Sequence, residues 1–120
     1  MKNKFYHLST CSTCKRIIKE LGNKIEAFEM QDIKSEKITA VQIDEMKSLA
    51  GSYEALFSRR SQQYAALGLK DKTLLEEDYR NFILQEYTFL KRPVAIVGKE
   101  IFVGNSADTI HALSNALASL

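Results

Sequence analysis

The sequence has no tryptophan, a single proline (Pro93), five glycines and two cysteines among its 120 residues. So little proline and glycine excludes a disordered or low-complexity chain. Two cysteines are too few for a disulfide scaffold. No apolar run approaches the ~20 residues of a membrane-spanning helix, so an integral helical membrane protein is excluded. A charge excess is missing too: 17 Lys+Arg against 15 Asp+Glu leave a net +2. That bias, with no basic tail, is too mild to imply direct nucleic-acid binding. Met1-Lys2-Asn3-Lys4 leads into only a short apolar stretch holding His7. No signal peptide is expected there, and the expected compartment is the cytoplasm. What is present is ordinary: 45% hydrophobic and 27% charged residues suit one globular domain over residues 1–120.

Hydrophobic spacing divides the chain. Phe5-Tyr6-His7-Leu8 reads as a short strand. Ser9 or Thr10 would cap a helix starting near Cys11, with Cys14, Ile17, Ile18 and Leu21 as its apolar stripe and Gly22 as its stop. Ile25 to Met30 fits a second strand, which makes the opening a βαβ pattern. The middle is helical. Thr39-Ala40-Val41-Gln42 and Thr73-Leu74-Leu75-Glu76 match capping boxes, Gly51 closes the first helix, and a shorter helical piece runs from about Ser61 to Leu67 before Gly68. Leu75, Tyr79, Phe82, Ile83 and Leu90 would give the second box's helix its apolar stripe. Val94-Ala95-Ile96-Val97 reads as a buried strand forming a hairpin with Ile101-Phe102-Val103. Asn105 or Ser106 would cap a last helix with Ile110, Leu113, Leu117 and Leu120 inside. The fold class is α/β, with a mixed four-stranded sheet and a helical insertion between the second and third strands.

The chemistry concentrates at Cys11-Ser12-Thr13-Cys14. A thiol at a helix N-terminus meets unsatisfied N–H groups and the positive end of the helix dipole. Lys15 and Arg16 would add positive charge, and such settings lower a cysteine pKa. Cys14, one turn inward on the apolar stripe, should be more buried and neutral. That asymmetry suits an attacking thiol and a resolving thiol. A zinc half-site is the weaker reading, because His7 and His111 lack a ligand spacing; no metal is expected. Two incidental thiols are the other alternative. His7 and His111 read as strand and helix-surface residues. Arg59-Arg60 and Lys91-Arg92 are by default solvated charge, though arginines converging on a thiolate would make an oxyanion fork. Arg92 stands out because it precedes Pro93 at a strand entry, where a cis peptide or a turn fits.

Four stretches together resemble the arsenate reductase and Spx family, a branch of the thioredoxin superfamily with a helical insertion. They are residues 6–16 (YHLSTCSTCKR), 58–64 (SRRSQQY), 90–94 (LKRPV) and 102–104 (FVG). The resemblance implies a thioredoxin-like fold, a cis proline at Pro93 and a catalytic cysteine at Cys11. Family members that reduce arsenate attack it with that cysteine and hold the oxyanion with arginines, at positions matching Arg60 and Arg92. They release arsenite after glutathione and glutaredoxin take part. Arsenate reducers usually carry arginine where Lys15 stands, and a third arginine where this chain has Val103, Gly104 and Asn105. Lysine does not replace a guanidinium fork, and each lost charge-assisted bond costs on the order of 1.5–3 kcal/mol. The Cys-x-x-Cys pair resembles the redox switch of Spx-type regulators, which bind RNA polymerase and do not read DNA alone.

The expectation is therefore a thiol–disulfide oxidoreductase with Cys11 as nucleophile and Cys14 as resolving thiol. Lys15 and Arg16 would stabilise the thiolate, and Arg60 and Arg92 would bind an anionic substrate or a thiol-redox partner, arsenate being one candidate. No cofactor is expected to be bound; glutathione with glutaredoxin, or thioredoxin, would supply electrons. The alternative is a redox-sensing regulator that binds RNA polymerase. No membrane partner is expected.

Overall fold

The computed structural model describes residues 3–119 of the chain. The place expected for Leu120 on the last helix lies outside them, as do Met1 and Lys2. The chain packs as two compact units, Met1–Glu36 with Arg92–Leu120, and Lys37–Lys91. No helix among the described residues is long and apolar enough to cross a membrane.

The first unit holds the sheet. Strand β1 (Asn3–His7) leads to helix α1 (Ser12–Leu21) and strand β2 (Phe28–Asp32); β3 (Val94–Val97) and β4 (Glu100–Val103) precede helix α5 (Ala107–Ala118). The sheet order is β2-β1-β3-β4. β1 pairs parallel with β2 and antiparallel with β3, and β3 pairs antiparallel with β4, so the sheet is mixed. Gly98, at φ 62°, permits the tight turn of the β3–β4 hairpin, where a side chain would be strained. Phe5, Phe28, Ala95 and Val97 from the strands pack with Ile17 and Leu21 of α1 and Leu113 and Leu117 of α5. Those helical residues recur at the spacing that keeps one face inward. All four residues of β3 are buried, which explains its uninterrupted apolar run.

One expected boundary moves. The second strand begins at Phe28, because a 3-10 segment takes up Gly22–Ala27. Apolar spacings of two and three fit either conformation, and Ile25 still reaches the core from the tighter turn. At the last helix, Ser106 is the cap, its side chain accepting the Thr109 N–H.

The second unit is helical, with α2 (Ala40–Ala50), α3 (Gln62–Ala66) and α4 (Glu76–Gln85). The Thr39 capping box is complete: Thr39 Oγ1 accepts the Gln42 N–H and Gln42 Oε1 accepts the Thr39 N–H, each at 3.1 Å. The box expected at Thr73 does not form. Leu75 is the N-cap, and Asp78 accepts its N–H at 2.8 Å. Glu76, expected to reach back to Thr73, instead accepts the N–H groups of Tyr53 and Glu54 at 2.8 and 3.1 Å. Leu75 is consequently exposed, and Leu90 is buried beyond the helix end, bridged to Phe57. Phe57 stacks on Phe89 with ring centroids 5.0 Å apart and meets Tyr79 edge-on at 4.9 Å, so aromatic contacts supply much of this unit's interior.

Candidate functional site

The site begins where β1 stops. The chain leaves His7 through a turn closed by the Cys11 N–H on the Leu8 carbonyl at 3.0 Å. Cys11 itself is the N-cap of α1, with φ −90° and ψ 117° and no side-chain cap bond. This corrects the expectation that Ser9 or Thr10 caps the helix; the Ser9 side chain is hydrogen-bonded to Asp32 instead. With no hydroxyl or carboxylate at the cap, the orphan N–H groups of the first turn are left for the cysteine sulfur. The Cys14 and Thr13 N–H groups favour its ionised form without closing a cap bond.

The two thiols are held oppositely. Burial pushes the partly exposed Cys11 thiol up, but it is outweighed by the Cys14 N–H, the Cys14 side chain, the Thr13 N–H and the Arg92 charge. Cys11 therefore ionises below an ordinary thiol. Cys14 is fully buried and pushed up to about 11, chiefly by that burial. The charge of Cys11 and the hydrogen bond to it raise Cys14 further, against the opposing Leu8 N–H and Arg92. The helix-tip sulfur is thus the more readily ionised of the two, and the thiol one turn inward the more readily kept neutral.

Arg92 and Pro93 enter from the start of β3. Their peptide bond is cis. Two groups beyond β4 hold its flanking carbonyls: the Gly104 N–H reaches Pro93 O at 2.9 Å, and Asn105 Nδ2 reaches Arg92 O at 3.2 Å. The Arg92 guanidinium acts electrostatically on both sulfurs. Its Nη1 is buried and has no hydrogen-bond partner among the described residues. A buried, unpaired guanidinium N–H is costly in a native structure unless something occupies it, and an anion is the group it suits.

Lys15 and Arg16 are exposed on α1, and Arg16 Nε is 3.7 Å from Glu20 Oε1. Arg60 is exposed in the helical unit, its N–H donating to Ser58 Oγ at 3.3 Å. Its neighbour Arg59 is committed to Glu54 at 2.8 Å and the Tyr79 hydroxyl at 3.0 Å. His7 sits on β1; burial lowers its pKa while Asp32 opposes that shift. His111 is exposed on α5. No group of three or more metal-ligating side chains occurs among the described residues. Sequence reasoning missed the Leu8 and Ser9 backbone contacts, Asp32, and the hold of Asn105 on Arg92. None of these has a motif; each depends on strand register or hairpin closure.

Comparison with known proteins accords with the fold. A family model described as ArsC family matches residues 6–113. No curated protein matches the sequence. Among solved structures, an ArsC-related protein from Bacteroides fragilis superposes with a TM-score of 0.79 at 23% identity, covering 94% of this chain and 99% of that one. A protein from Streptococcus mutans described as a possible arsenate reductase gives 0.74 at 28% identity, covering 93% and 97%. An arsenate reductase from Vibrio cholerae gives 0.76 at 16% identity, covering 94% and 96%.

Proposed function

The chain belongs to the ArsC family and has its thioredoxin-like fold, and from that premise we propose that it is a thiol-dependent oxidoreductase in which Cys11 attacks and Cys14 resolves. The observation that carries this reading is the opposed ionisation of the two thiols on one helical turn. The attacking sulfur must be an exposed thiolate, and the resolving sulfur must not compete with it.

The chemistry follows from that order. The Cys11 thiolate attacks one sulfur of a substrate disulfide, forms a mixed disulfide, and expels the other sulfur as a thiolate. Cys11 then carries no charge, so the influence that raises Cys14 through Cys11 disappears while the cationic Arg92 remains. Cys14 loses its proton to the first expelled thiolate and attacks the Cys11 sulfur, breaking the mixed disulfide, releasing the second substrate sulfur as a thiolate and closing the Cys11–Cys14 disulfide. Two electrons have passed to the substrate. A dithiol such as reduced thioredoxin or glutaredoxin, or two glutathione molecules, returns them.

With arsenate, attack by Cys11 forms an S–As bond with loss of water. Attack by Cys14 on the Cys11 sulfur breaks that bond and leaves the electron pair on arsenic, giving arsenite. The unpaired Arg92 Nη1 supports an oxyanion or carboxylate beside the thiolate, and Arg60 is proposed as a second anion-binding group on the family resemblance. Lys15 and Arg16 add a solvent-screened positive potential to the helix tip. On the resemblance of the Cys-x-x-Cys pair to Spx-type regulators, the second reading uses the same disulfide as a switch governing binding to RNA polymerase.

The test is mass spectrometry of wild-type, Cys11→Ser and Cys14→Ser proteins after exposure to oxidised glutathione, with arsenite release measured in parallel. Wild type should form an internal disulfide, Cys14→Ser should accumulate a glutathione adduct on Cys11, and Cys11→Ser should remain unmodified. Adduct formation at Cys14 in the Cys11→Ser protein, at the wild-type rate, would reverse the roles. Stoichiometric capture of polymerase by the reduced protein, without turnover of disulfide or arsenate, would favour the switch.

A further inference from the structure

The end of β2 carries an acidic residue that the proposed chemistry does not use, and it reaches into the turn before Cys11. In the parallel β1–β2 pair His7 is opposite Asp32, so the two strands end side by side. Asp32 Oδ1 accepts the Lys34 N–H at 3.2 Å, within its own chain exit, and the Ser9 N–H, also at 3.2 Å, across the gap. The Ser9 side chain hydrogen-bonds the same carboxylate. The residues around Ser9 already serve the two sulfurs: the Leu8 N–H faces Cys14, and the Leu8 carbonyl accepts the Cys11 N–H. One carboxylate oxygen therefore joins the backbone that follows β1 to the backbone that follows β2, in the middle of the turn that sets the start of α1.

Resting on the reading that Cys11 is the attacking thiol, we propose that Asp32 is a positioning residue for its thiolate: by holding the Ser9 N–H, its carboxylate fixes the turn that aims the first N–H groups of α1 at the Cys11 sulfur. The turn and the helix tip are one rigid object only while residues 8, 9 and 11 are all tied. Releasing Ser9 lets the cap residue rotate, and N–H donation to sulfur weakens steeply as its angle opens. The role belongs to the acceptor oxygen and not to the negative charge, because a carboxylate near a thiolate disfavours it. His7, beside Asp32 on β1, is the other titratable group facing that carboxylate.

This separates substitutions that a merely structural role would treat alike. Asp32→Asn keeps an acceptor for both N–H groups and removes the charge. Asp32→Ala removes both. Asp32→Ser can still reach the Lys34 N–H two residues on but is too short to cross to Ser9. The experiment is the pH profile of Cys11 alkylation, read by mass spectrometry of the Cys11 peptide, with thermal unfolding recorded for each variant. Asp32→Ala and Asp32→Ser should move the Cys11 midpoint upward by about one unit, roughly a tenfold loss of thiolate below the midpoint. Asp32→Asn should stay at or below the wild-type midpoint. If Asp32→Ala does not fold, Asp32→Ser against Asp32→Asn carries the same contrast. Equal midpoints for the serine and asparagine variants would overturn the proposal. A wild-type Cys11 that titrates like a free thiol would sink the underlying redox reading instead.

Discussion

Arg59 and Arg80 of the helical unit and Arg92 of the sheet unit are treated in opposite ways. In the helical unit Arg59 is paired with Glu54 at 2.8 Å, and Arg80 Nε reaches Asp44 at 2.9 Å, with the Tyr53 hydroxyl on the same Asp44 at 2.6 Å. These guanidinium groups have carboxylate partners from their own chain. In the sheet unit Arg92 has a buried nitrogen with no partner, beside two thiols. A saturated guanidinium is committed to the structure; a buried unsaturated one leaves a donor that suits an anion. Pairing state thus separates Arg92 from Arg59 and Arg80 where residue type does not.

The strongest way to break this comparison is at the sulfur. Cys11→Ser should lower disulfide-exchange turnover by on the order of 10³-fold or more, as loss of a nucleophile does, with the unfolding temperature little changed. Retained turnover would show that the sheet unit's chemistry lies elsewhere. Next come the arginines themselves. Arg92→Ala should weaken protection of Cys11 from alkylation by sulfate or phosphate by roughly 10–100-fold, since a charge-assisted hydrogen bond is worth about 1.5–3 kcal/mol. Arg59→Ala should leave that protection intact, and a matching loss in both variants would erase the distinction between the units.

A pH series sharpens the contrast between the thiols. Cys14 is raised from 9.0 to about 11 in the folded chain, so folding favours its protonated form. That contribution is present below pH 9 and is lost as pH rises through about 11; two units correspond to roughly 2–3 kcal/mol. Cys11, lowered in the fold, has the opposite sign: its contribution is present above the unfolded value and is lost as pH falls through the folded one. Urea unfolding between pH 8 and pH 11 should therefore show a fall in stability that Cys14→Ala largely removes. A fall of the same size in that variant would mean the buried thiol does not titrate as described. Two smaller effects belong to the helical unit. Thr39→Ala should cost about 1 kcal/mol by opening the capping box, measurable by urea unfolding and without effect on Cys11 alkylation. Arg59→Ala should cost no more than about 1 kcal/mol, because its partner is about half exposed.

What could be read from the chain beforehand was whatever a few neighbouring residues decide. The stripe of Cys14, Ile17 and Leu21, the Thr39–Gln42 box and the apolar run of β3 are local patterns, and each forms. The strand at Phe28 and the cap at Leu75 moved because a 3-10 turn and a distant use of Glu76 compete with equally good local patterns. The site divides in the same way. Cys11 and Cys14 announce themselves by spacing, and Arg92 by its proline. Lys15 and Arg16 were singled out by adjacency, yet the cation acting on both sulfurs comes from the strand after the helical unit. Asp32, Ser9 and Asn105 meet their partners only through strand register and hairpin closure.

The sheet unit is written in two instalments, Met1–Glu36 and Arg92–Leu120, with the whole helical unit between them. A ribosome therefore releases both cysteines long before it supplies the arginine and proline that complete their surroundings. Until β3 slots in beside β1, the nascent thiols lack the Arg92 share of their tuning, and pairing across so long a separation is slow by contact-order arguments. The Arg92 charge, one of the groups that lower the Cys11 pKa, thus belongs to the second instalment, while the Cys14 and Thr13 groups belong to the first.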